Sequence, residues 1–148
     1  MALRIVVFLA IIFTALALVP SGAHLFALLN KIELDRDPYF TVQQIYAGWS
    51  LFGIVIFGAL IANLTLTILL RGQRPAFHFA LLGFLGIAAT LVIFFAWTYP
   101  ANLATANWTE ARFGWDALRR QWEYSHAVNA VIAFVALCSV TLAALTHE

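Results

Sequence analysis

Four long apolar stretches, parted by short polar ones, organise this chain. They run from Leu3 to Leu29, from Ile45 to Leu70, from Ala76 to Trp97 and from Trp122 to Leu145. Each approaches the ~20 residues a helix needs to cross about 30 Å of hydrocarbon. In lipid the backbone must satisfy its own hydrogen bonds, so the pattern predicts helices and an all-α fold. Pro20-Ser21-Gly22 interrupts the first stretch, where a break is expected. That stretch imitates a secretory leader, but apolar character resumes at His24-Leu25-Phe26-Ala27-Leu28-Leu29, and it is read as a span.

The links differ in length. Only Arg71-Gly72-Gln73-Arg74-Pro75 separates the second and third stretches, whereas residues 30–44 and 98–121 are long. Short links make sequential helices antiparallel. The prediction is one domain over residues 1–148, an integral membrane antiparallel four-helix bundle with a structured loop cap. One end holds both termini and the tight turn and is called here the terminal end. The other holds both long links and is called the cap end.

Composition supports a lipid partner. The chain is 64% hydrophobic and 10% charged, with mean hydropathy +0.92, too few charges to coat a soluble domain. A net charge of +1 provides no basic face for nucleic acid. The single cysteine, Cys138, excludes an intrachain disulfide and a multi-cysteine zinc site. Arg4, Arg71 and Arg74 stand almost undiluted by acids and favour cytoplasmic termini. Lys31, Arg36, Arg112, Arg119 and Arg120 outnumber them at the cap end, so the opposite orientation stays open.

Tryptophan and tyrosine normally belt both membrane interfaces. Here all nine, Tyr39, Tyr46, Trp49, Trp97, Tyr99, Trp108, Trp115, Trp122 and Tyr124, fall in the cap half or its links. Anchoring alone predicts two belts, so part of this set is expected to line a cavity or pack a lid.

Polar residues inside the spans collect at the same depth. They include His24, Gln43, Gln44, Tyr46, Asn102, Glu123, His126 and Asn129. Trp122, His126 and Asn129 share one helical stripe. Glu123 and His126 form Glu-x-x-His, a spacing used by carboxylate-bridged metal sites. The blander alternative pairs Glu123 with Arg119 or Arg120 at the membrane surface. His24 and His126, on helices that a closed bundle makes neighbours, could face each other. They would then serve as a base near neutral pH, or ligate a metal ion or haem, with Glu123 as a further ligand. Tyr46, Trp49, Trp97, Asn102, Trp122 and Asn129 are the candidate substrate-binding residues.

Elsewhere the expectations are structural. His78 is read as interfacial, and Asn63, Thr65 and Thr67 as sources of interhelical hydrogen bonds. Gly83 and Gly86 allow close helix packing. Pro100-Ala101-Asn102 signals a helix stop, Asn107-x-x-Glu110 a short capped surface helix, and Asp116 the cap of the fourth span.

Pro100-x-Asn102, a Trp-containing loop and Leu118-Arg119-Arg120-Gln121-Trp122-Glu123-Tyr124-Ser125-His126 together resemble the anthrone-oxygenase-like membrane proteins, many of them bacterial. The layout is similar over most of the chain, the specific part over about residues 99–129. The resemblance implies a four-helix membrane fold and oxygen-dependent oxidation of a polycyclic phenolic to a quinone, with no obvious cofactor. It carries over Asn102, Trp122, Glu123 and His126. His24 is added on chemical grounds, with His126, Glu123 and His24 as the candidate catalytic set. Asn129 stands where related sequences often have Arg, which leaves the substrate type open. The expected location is the bacterial inner membrane.

Two other readings compete with a membrane oxygenase of a hydrophobic aromatic. One is a His-ligated metal or haem redox protein. The other is a non-enzymatic binding or accessory subunit of a membrane complex, and no motif selects between self-association and such a complex. No P-loop, dinucleotide fingerprint or nucleophile elbow occurs.

Overall fold

The computed structural model of the chain describes residues 1–147. Helix α1 covers Ala2–Lys31, the short α2 Arg36–Gln43 and α3 Phe52–Leu69. Helix α4 covers Ala76–Ile93 and continues through a wide π turn, Phe94–Thr98, into α5, Tyr99–Ala104. Helix α6 runs over Trp115–Thr146. Four helical stretches, Ala2–Lys31, Trp49–Leu69, Ala76–Ala104 and Trp115–Thr146, are long and apolar enough to cross a membrane. They close into a ring: α1 packs on α3 and α6, and α4 packs on the same two.

Several predicted boundaries move. Helix α1 passes through Pro20 without a break. A proline forfeits one backbone bond, and in lipid the turns on either side have no water to exchange into. The Ser21 hydroxyl donates back to the carbonyls of Ala17 (3.5 Å) and Leu18 (3.2 Å). Pro100 does not stop its helix either. The α ladder widens at Phe94–Thr98 just ahead of it, and the helix resumes to Ala104. The second span starts later than Ile45, because Gly48 (φ 85°) turns the chain and leaves Tyr46 on a separate 3-10 turn, Gln44–Tyr46. Gly114 (φ 79°), not Asp116, precedes the first turn of α6. No helix forms at Asn107, since Ala106, Asn107 and Trp108 are all left-handed (φ 47°, 55° and 64°).

At the terminal end the bundle packs closely on small and aliphatic residues, among them Ala10, Leu66, Leu70, Ala76, Ala80, Val140 and Ala143. Close approach is compulsory here. A Cβ on Gly83 would lie 2.5 Å from Val140 Cγ2, and one on Gly86 would lie 3.0 Å from Ala136 Cβ. Asn63 donates across to Thr14 Oγ1 (2.9 Å), the expected interhelical bond. Thr65 and Thr67 instead donate to carbonyls of their own helix, Ile61 and Asn63. His78 is exposed beside the tight turn.

Candidate functional site

At the cap end the same four helices spread around a cavity of about 750 Å³, within the range of small-molecule sites. Its wall is largely apolar, with Ile56, Phe57, Ile87, Leu91 and Phe94 along the spans. The polar wall is formed by His24 of α1, Tyr46 of the 3-10 turn, Asn102 of α5, and Trp122, His126 and Asn129 of α6. Some wall residues are also exposed outside. Phe57 and Phe95, 51% and 57% exposed, mark a lateral edge between α3 and α4, and Gly48 and Asn107 mark an edge in the cap.

The two imidazoles meet. The rings of His24 and His126 lie 4.1 Å apart between centroids. Equal depth on antiparallel neighbours α1 and α6 produces this contact. Aromatic rings enclose the pair: Trp122 stands 4.7 Å from His24 and 4.3 Å from His126, and Tyr46 stands 4.2 Å from His24. His24 Nδ1, His126 Nε2, Asn129 Oδ1 and Gln43 Oε1 are buried and have no hydrogen-bond partner in the protein. All four residues line the cavity. Unpartnered buried polar atoms are costly, so their concentration on one wall marks where polar recognition is available.

Asn102 is the hub of the cap. Its side-chain oxygen accepts the indole N–H of Trp122 (2.8 Å) and of Trp108 (3.2 Å). Trp108 is further held by its backbone N–H to Thr105 Oγ1 (3.1 Å) and by Gln44, which donates to its carbonyl (3.0 Å). These bonds fix a bulky residue in the left-handed region, which it would not otherwise favour. Asn129 donates to the Thr90 carbonyl (3.2 Å), tying α6 to α4 at the cavity floor.

Glu123 lies elsewhere. It does not line the cavity and does not pair with Arg119 or Arg120, both of which bond Asp116. Its Oε1 instead accepts Lys31 Nζ (3.0 Å) and the Tyr39 hydroxyl (3.0 Å), all three residues being buried. Burial, reinforced by the neighbouring Glu123 carboxylate, pushes the Tyr39 phenol well above its ordinary range. Gln43 donates to the Tyr39 oxygen, and Lys31 also donates to the Tyr46 hydroxyl (3.0 Å). Arg119, itself buried, packs 5.4 Å from the Tyr39 ring and 4.7 Å from Trp115, and donates to the Leu34 carbonyl (2.6 Å).

Trp97 is half exposed and contributes its carbonyl to Gln121 (2.7 Å) rather than its ring to the cavity. With Tyr124, 54% exposed, it faces outward. Among the described residues no three His, Cys, Asp or Glu side chains come together to hold a metal ion. Glu123 stands on Lys31 and Tyr39, whereas His24 and His126 line the cavity together. Sequence reasoning missed Lys31 and Tyr39 as partners of Glu123, because each lies in a polar link whose pairing hydropathy does not report. No family model, curated protein or solved structure matches the chain.

Proposed function

We propose that the protein is a membrane-embedded oxygenase acting on a hydrophobic aromatic or phenolic substrate, like the anthrone-oxygenase-like proteins it resembles. The observation that carries this reading is the pair of facing imidazoles on the wall of a largely apolar, aromatic-rimmed cavity. An anthrone-type ring carries an acidic C–H beside its aromatic system. A neutral imidazole of His24 or His126 removes that proton and leaves a delocalised carbanion. The carbanion gives its electron pair to molecular oxygen as a C–O bond forms. The peroxide anion so formed takes the proton back to give a hydroperoxide, and loss of the remaining hydrogen at that carbon with cleavage of the O–O bond releases water, so substrate and oxygen become quinone and water. The imidazoles hold and return the proton, while apolar walls exclude bulk water from the carbanion.

The test is anthrone oxidation by the protein in lipid nanodiscs, followed by oxygen uptake and quinone absorbance. His126→Ala and His24→Ala are each expected to lower turnover about 10²- to 10⁴-fold with unchanged thermal unfolding. Oxidation at the wild-type rate in both variants defeats the reading. The facing imidazoles also suit a metal ion, and elemental mass spectrometry decides this. Near-stoichiometric iron or copper that both variants lose would replace proton abstraction by a His-ligated redox centre.

A further inference from the structure

The proton abstraction proposed above needs a place for negative charge, since the carbanion is conjugated through the aromatic rings with the carbonyl and places charge on its oxygen. Asn129 and Asn102 are poorly suited to hold it. The Asn129 amide already donates to the Thr90 carbonyl and its unpartnered buried atom is an acceptor, while Asn102 spends its oxygen on two indole N–H groups and presents only an amide N–H group with no charge behind it. The imidazoles are committed to the proton on the carbon side of the ligand. A donor backed by positive charge meets the need best.

The hydrogen-bond chain behind the cavity provides one and fixes its direction. Gln43 donates to Tyr39, and Tyr39 donates to Glu123. Glu123 also accepts from Lys31, and Lys31 donates to Tyr46 at 3.0 Å. An ammonium group has donors only. The Tyr46 oxygen therefore accepts from Lys31, and its own hydrogen must point elsewhere. Among the described residues no protein group accepts that hydrogen. Tyr46 lines the cavity, its ring against His24.

Lys31 is 3% exposed and is held by Glu123 and by the faces of Tyr46 (4.7 Å) and Trp122 (5.1 Å). A cation buried at this end of α1 is expensive unless paired, and Glu123 pairs it. The arrangement leaves a fixed positive charge one hydroxyl away from the cavity. A hydroxyl that accepts from an ammonium is polarised and becomes a stronger donor to an anion.

We infer that Tyr46, backed by Lys31, binds the carbonyl or phenolate oxygen of a flat aromatic ligand and takes up the negative charge that forms there. Tyr46 contacts the ligand, whereas Lys31 and Glu123 are positioning residues that act through it. The inference rests on the reading of the cavity as an aromatic substrate site. It makes the ligand an oxygenated aromatic rather than a plain hydrocarbon. It also places the oxygen on the Tyr46 side, with the acidic C–H towards the imidazoles.

The experiment uses the full chain in nanodiscs and two probes of similar shape, 2-hydroxyanthraquinone and anthracene. Empty nanodiscs correct for partition into lipid. Tyr46→Phe is expected to weaken 2-hydroxyanthraquinone about tenfold and to reduce its phenolate absorbance when bound at neutral pH. Anthracene affinity is expected to stay at the wild-type value. Should Tyr46→Phe fail to fold, Lys31→Met combined with Glu123→Leu carries the same comparison with the hydroxyl retained but the cation gone. Equal 2-hydroxyanthraquinone affinity and absorbance in variant and wild type would overturn the role of Tyr46 while leaving the aromatic site intact. Failure of wild type to bind either probe would overturn the aromatic site and this inference with it.

Discussion

The two ends of one bundle solve opposite problems with the same four helices. At the terminal end the helices approach so closely that a methyl on Gly83 would clash and one on Gly86 would press on Ala136, and alanines fill the seams. At the cap end they diverge, and tyrosine, tryptophan, histidine and asparagine occupy the space. Without a strong hydrophobic force between helices in lipid, close packing of small residues stabilises the first region. The second depends on its polar network, in which each member needs a partner. The difference separates scaffold from site: one half tolerates no added volume, the other no lost partner.

Unfolding measurements in detergent can break this comparison. Removing the carboxylate with Glu123→Ala leaves Lys31 buried and uncompensated, with an expected loss of about 3–5 kcal/mol. Combining Glu123→Leu with Lys31→Met should recover most of it. A loss as small as that of an exposed pair would mean the cap network is not dry. Gly83→Ala should cost about 1–3 kcal/mol, because Val140 and Asn63 flank the new methyl at 2.5 and 3.1 Å. In the cap half Gly53 has nothing within 4 Å of a Cβ, although it lines the cavity. Gly53→Ala should therefore stabilise by about 0.5–1 kcal/mol through the better helix former. Equal costs at Gly83 and Gly53 would erase the distinction between the halves. The smallest loss is at Thr14→Val, which removes the acceptor for Asn63 and should cost about 0.6 kcal/mol.

The number and course of the spans were legible in the sequence because hydropathy over ~20 residues reports directly on lipid exposure. Their ends were less so. Pro20 and Pro100 read as breaks, yet a spanning helix absorbs a proline by losing one bond or widening one turn. Contact between His24 and His126 could be anticipated from matching depth on antiparallel neighbours. The partner of Glu123 could not. Local spacing offered Arg119 and Arg120, whereas Lys31 reaches it only because α1 runs past its apolar stretch into the cap. Trp97 and Trp122 look alike in composition, and only the phase of each helix turns one outward and the other onto the imidazoles.

The lateral edge at Phe57 and Phe95 has a consequence for how occupancy of the cavity is governed. A ligand that arrives through it comes from the hydrocarbon phase, and water is not its reservoir. Its chemical potential is then set by its mole fraction among lipids. Adding bilayer at constant total ligand empties the cavity, and adding buffer hardly does. For such a protein the membrane is solvent, store and supply line at once.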